Sequence, residues 1–123
     1  MLIALKPSRS LMLALTVSFA VLNNASGHSN SLDSNPMPGA VLTTPPDTLS
    51  VNFDAPMRII SVRLTDAAGE RFNVSAKAGR ASSQSLTVTP PSLANGRYVL
   101  EWRGLSDDGH TLSDQLEFVV AID

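Results

Sequence analysis

Residues 97–103 read RYVLEWR, with Tyr98, Leu100 and Trp102 at alternate positions and Arg97, Glu101 and Arg103 among the residues between them. Successive side chains of an extended chain point to opposite sides, so this spacing predicts a strand with one buried face and one wet face. Trp102 accordingly reads as a core residue. The same period of two recurs on both sides. Leu49, Val51 and Phe53 alternate in TLSVNFD (48–54), and Val62 and Leu64 in ISVRLTD (60–66). Leu86 and Val88 do so in SLTVTP (85–90), as do Leu116, Phe118, Val120 and Ile122 in QLEFVVAID (115–123).

Between these runs stand NPMPGA, TPPD, DAAGE, TPPS and ANGR, clusters of Pro, Gly, Asn and Asp that favour turns. No long window carries a helical period. About seven short strands in a small chain predict an all-β fold, an antiparallel immunoglobulin-like sandwich or Greek-key barrel. The polar stretch SAKAGRASSQS (75–85) is expected to be a flexible loop.

The front of the chain has a different composition. Lys6 and Arg9 precede the uncharged run LMLALTVSFAVL (11–22), and the small polar stretch NNASG follows. That order is a secretory signal pattern, and the run is shorter than the roughly 18 residues a membrane span needs. Ala25 and Gly27 supply the small side chains required before a cut, so residues 1–27 are expected to be removed and the mature domain to run from His28 to Asp123. No Cys follows, so no lipid anchor is expected.

Export leaves 7 basic against 11 acidic residues, a formal charge of −4, which disfavours a nucleic-acid partner. The sequence has no cysteine. Disulfides, thiolate metal sites and Cys nucleophiles are thereby excluded, and the domain must be held by its core.

The sequence contains two histidines. His110 lies in LSDDGHTLSD, two residues after Asp108, a spacing that lets a carboxylate and an imidazole face one ligand, with Gly109 free to bend between them. His28 would carry a free α-amine once the signal is cut. Its amine and Nδ1 could close a chelate ring, and with Asp108 and His110 they make three nitrogens and one oxygen. Such a set in a tetragonal plane suits Cu(II). The plain alternative is that DDG marks a turn and both histidines are merely solvated. The NVS sequon at 73–75 recurs by chance in many chains, and Met37 and Met57 read as packing or loop residues.

Together these residues resemble the CopC/PcoC family of exported copper-resistance proteins. The similarity is carried by His28 at the mature start, PMPGA (36–40), LSVNF (49–53), EWRGLSDDGH (101–110) and LEFVV (116–120), and it spans essentially the whole mature chain. The resemblance implies an immunoglobulin-like copper carrier in the periplasm, with Cu(II) held by the amine and imidazole of His28, by Asp108 and by His110. It departs from the family in two places. There is no Met-rich cluster of the kind that binds Cu(I), and Thr111 stands where Pro often follows the D-x-H, which predicts a looser loop.

Three functions of different kinds follow. The first is a non-enzymatic, monomeric carrier that buffers Cu(II) or passes it to a CopD-type membrane importer. The second is a copper-dependent oxidative enzyme with an N-terminal histidine brace. The short chain has little room for a flat sugar-binding face, and Asp in the copper plane would fill the position where oxygen binds. The third is a metal-free structural or adhesive sandwich.

Overall fold

The computed structural model describes residues 31–76 and 82–123. They form eight strands: β1 (Ser31–Asn35), β2 (Ala40–Leu42), β3 (Leu49–Asp66), β4 (Arg71–Phe72), β5 (Ser75–Ala76), β6 (Ser83–Thr89), β7 (Gly96–Ser106) and β8 (Thr111–Val120). The expected runs at 48–54 and 60–66 join into the single strand β3. Hydrogen bonding links all eight strands because β3 passes through both layers of a sandwich. Its first part, Leu49–Phe53, pairs with β1 on one side and β6 on the other. From Met57 to Asp66 it pairs with β7, and near its end with β4. Pro56, which has no N–H to donate, sits where the pairing with β6 shifts register between Asn52 and Met57.

The second layer continues through the long β7–β8 hairpin to β2, which lies parallel to β8 at the edge. β2 is delivered there by a turn in which Ala40 N donates to Met37 O at 3.0 Å, with Pro38 and Gly39 at its centre. Gly39 has φ +76°, the value a type II turn needs after Pro. The stretch expected to be a loop, 75–85, is strand at both described ends, in β5 and in the start of β6. Residues 77–81 lie outside the described set.

Alternation places Leu49, Val51, Phe53, Leu86 and Val88 from the first layer against Leu64, Tyr98, Leu100, Trp102, Leu116, Phe118 and Val120 from the second. Trp102 is buried as expected, its ring centroid 6.3 Å from that of Phe53 in the facing layer. Each such side chain, removed from water, contributes about 1.5 to 3 kcal/mol. Tyr98 is buried too, but its hydroxyl donates to the carbonyl of Ala94 at 2.6 Å. This tyrosine corner ties the β6–β7 crossover to the start of β7, as in immunoglobulin-like sandwiches.

Met57 crosses the core at the point where β3 changes partners, and Gly104 opposite it makes room. A Cβ on Gly104 would overlap Met57 Sδ and Cγ. Gly104→Ala is therefore expected to destabilise the domain by about 1 to 3 kcal/mol through overpacking, read as a lower urea midpoint with an unchanged slope. An unaltered midpoint would mean that Met57 moves aside without cost.

Candidate metal-binding turn

β7 and β8 are joined by a tight hairpin. Ser106 N donates to His110 O at 2.9 Å, and Gly109 N donates to Ser106 O at 3.0 Å. Gly109 has φ +89°, so the loop is a turn closed by a left-handed residue, the usual three-residue hairpin connection. The β3–β4 connection repeats this geometry: Asp66 N donates to Glu70 O, Gly69 N to Asp66 O, and Gly69 has φ +82°. There the Asp66 carboxylate accepts from the Ala68 and Glu70 amides. Ser106 takes the equivalent place in the β7–β8 turn, and its hydroxyl accepts from His110 N at 3.1 Å.

The turn brings Asp108 and His110 together. Asp108 Oδ2 lies 2.8 Å from His110 Nδ1, while Oδ1 accepts from the Ser106 hydroxyl and, at 3.3 Å, from His110 N. In the tautomer whose Nδ1–H donates to the ionised carboxylate, the Nε2 lone pair is the one free to meet a ligand. Both side chains stand in solvent, 78% exposed for His110 and 68% for Asp108, so a ligand can reach them without any opening of the core.

The hydrogen bonds from the Ser106 hydroxyl, the His110 ring and the His110 amide, in that order, hold the Asp108 carboxyl down at about 2, from an ordinary 3.8. Since the folded-state value is the depressed one, these contacts favour the folded turn fully above the ordinary carboxylate range. They are lost only as pH falls through about 2.

Thr111, in the place of the family's Pro, does not leave the turn open. It is the first residue of β8, paired with Leu105, and the bonds within Ser106–His110 close the loop. The role of Ser106 was missed in the sequence. Its signal was the comparison of DAAGE with SDDGH, in which the hairpin's first residue is a small side chain with a hydrogen-bonding oxygen.

His28, the third expected ligand, and the expected signal segment 1–27 lie outside the described residues. Among the described residues no group of three His, Asp or Glu side chains could hold a metal ion. Asp108 and His110 supply one oxygen and one nitrogen, half of a tetragonal plane.

Comparison with known proteins gives the turn its context. The model of the CopC domain family matches residues 31–121. The chain is similar in structure to CopC from Methylosinus trichosporium OB3b, at 28% identity and TM-score 0.68, covering 77% of this chain and 95% of that one. It is also similar to PcoC, a methionine-rich copper resistance protein from Escherichia coli, at 20% identity and TM-score 0.62, covering 77% and 100%. The latter likeness speaks to the fold alone. No curated protein sequence matches this chain.

Proposed function

Because the chain belongs to the CopC domain family, we propose that it is an exported carrier that binds one Cu(II) through His28, Asp108 and His110. The observation that carries this reading is the 2.8 Å contact of Asp108 with His110 on an exposed turn, in the order that the sequence resemblance gave to the copper ligands. Copper here is cargo. What the chain contributes is donor atoms held in place by Ser106 and Gly109, and no catalytic group is needed.

The direction of β1 favours His28 as the missing donor. Partners run from Asn35↔Ser50 back to Ser31↔Phe53, so the start of β1 heads the same way as β3 does toward Met57. Met57 is itself paired with Ser106, the first residue of the turn. Ser31 also donates to Asp114 of β8 at 3.2 Å, which brings the start of β1 to the strand that follows His110. His28 precedes Ser31 by three residues, and a chain that long spans at most about 10 Å. The amine and imidazole of a chain beginning at His28 would complete three nitrogens and one oxygen, a set that suits Cu(II). Delivery to a CopD-type membrane importer in the periplasm is the destination this carrier reading suggests.

Titration of the chain beginning at His28 with Cu(II) tests the proposal. Loading should saturate at one ion per chain, with quenching of Trp102, which is the only tryptophan. Two ions bound with similar strength would overturn the single site. Affinity should also fall steeply on mild acidification, since imidazole and α-amine donors ordinarily protonate near ~6.5 and ~7.7 to 8.0. Asp108, held at about 2, stays ionised throughout and cannot cause that fall. An affinity that stays flat from neutral to mildly acidic pH would exclude nitrogen donors.

A further inference from the structure

Five arginines, Arg58, Arg63, Arg71, Arg97 and Arg103, are the only basic residues among the described ones. All five lie on one face of the second layer. In β7 the residues Tyr98, Leu100, Trp102 and Gly104 are buried, so Arg97, Glu101 and Arg103 point the other way. Register then aligns the neighbours. Arg63 lies beside Glu101 and Gln115, Ser61 beside Arg103 and Ser113, and Arg58 beside Leu105 and Thr111. Arg71 joins them through its pairing with Thr65. On these strands Glu101 and Glu117 are the carboxylates with the same outward parity. A chain that is acidic as a whole thus gathers its described positive charge on one sheet face.

That face is concave. A cleft of about 760 Å³ lies over it, with Arg63, Arg71 and Arg103 around Glu101 and with Ser61 and Ser113 in its lining. Arg63 reaches Glu101 at 3.9 Å, and among the described residues no other ion pair involves these arginines. The cleft therefore holds three guanidinium groups against two carboxylates, Glu101 and Asp114, and Asp114 also accepts from the Ser31 hydroxyl at 3.2 Å. A guanidinium is a planar fork of donors that matches a carboxylate in a two-point hydrogen bond, and the serine hydroxyls add neutral donors between the forks. A lipid surface is a poorer fit, because interfacial binding uses a protruding apolar face with cations around it. A nucleic acid would meet the overall negative charge of the chain along its length.

We propose that the outer face of the β3–β7–β8 sheet is a docking groove for an extended, carboxylate-bearing segment of a partner protein. The assignment stands on the sheet alone and does not depend on copper binding. The lining of the cleft reaches the Ser61–Arg103–Ser113 row, and the Arg58 row next to the Ser106–His110 turn continues the same sheet face beyond it.

The test uses the full exported, copper-free chain and a short, labelled, Glu-rich synthetic peptide at low ionic strength, read by fluorescence anisotropy. Binding should be saturable and should weaken as salt screens the charges. The double variant Arg71→Gln/Arg103→Gln should bind about tenfold more weakly, the size expected for losing charge-assisted hydrogen bonds at an accessible site. The double variant Asp47→Asn/Asp54→Asn shifts the net charge by two in the opposite direction at residues outside the cleft lining and should leave binding essentially unchanged, where a response to net charge alone would tighten it. Should the arginine variant melt early, Glu101→Gln serves in its place: removing one competing carboxylate should tighten binding. Absence of saturable binding, equal binding by the arginine variant with its melt intact, no gain in Glu101→Gln, or preference for phosphatidylglycerol vesicles over the peptide would each overturn the proposal.

Discussion

Placing one extra residue ahead of His28 is expected to weaken Cu(II) binding by orders of magnitude. The His28 side chain would be untouched, but its α-amine would become a peptide nitrogen. An amide nitrogen has no lone pair free to donate and gives up its proton far less readily than an ammonium group. The chelate ring between that nitrogen and Nδ1 would then be lost, together with one of the three nitrogens. Asp108 and His110 would remain with the ring of His28, on an otherwise identical domain. The melt of the copper-free protein should not move, because the core residues, Leu49 to Val120, lie downstream of the change. Calorimetric titration of the two forms side by side checks both halves of the expectation. Equal affinities would remove any chemical meaning from the position of His28.

The second large effect concerns the core. Phe118→Ala should cost about 3 to 5 kcal/mol, against a total stability of about 5 to 15 kcal/mol for a domain of this kind. Phe118 is fully buried, and its ring stacks on Tyr98 at a centroid distance of 5.6 Å, while Tyr98 meets Phe72 edge-on at 5.7 Å. Removing the ring leaves a cavity and takes away the support for Tyr98, whose hydroxyl ties the crossover at Ala94. The chain has no cysteine, so no disulfide is available to hold the unfolded state in check. Denaturant unfolding measures the loss directly, and a change below about 1 kcal/mol would mean that the layers close over the gap.

The strands that carry the core were legible because each buries one face: Leu49, Val51 and Phe53 alternate with Ser50 and Asn52, and Leu116, Phe118 and Val120 are buried while Glu117 and Val119 between them are not. β1 was not legible. Its sequence, SLDSN, lies at the rim with an exposed Leu32 and no buried residue, so no period of two is written in it. β2 is three residues long and follows a Pro-Gly turn, and β4 and β5 are two residues each, too short for any pattern. Pro56 reads locally as a break, yet β3 continues past it because its partners change there, which is a long-range event. The turn tells the same story in miniature. Asp108 and His110 could be paired from their two-residue spacing, but what brings them together is the turn with its left-handed Gly109 and not an extended chain. The part played by Ser106 depends on how the hairpin closes, and hydroxyl placement of that kind is set by backbone geometry. The arginine face is similar: Arg97 and Arg103 fall on the wet side of one strand by alternation, but Arg58, Arg63 and Arg71 join them only through cross-strand register.

The central claim is that His110 is a copper ligand alongside the two nitrogens of His28. Electron paramagnetic resonance of the Cu(II)-loaded chain beginning at His28, recorded beside its His110→Ala variant, tests it most directly. The account predicts a tetragonal spectrum whose superhyperfine structure reports three nitrogens in the parent chain and two in the variant. Superimposable spectra from the two proteins would contradict it.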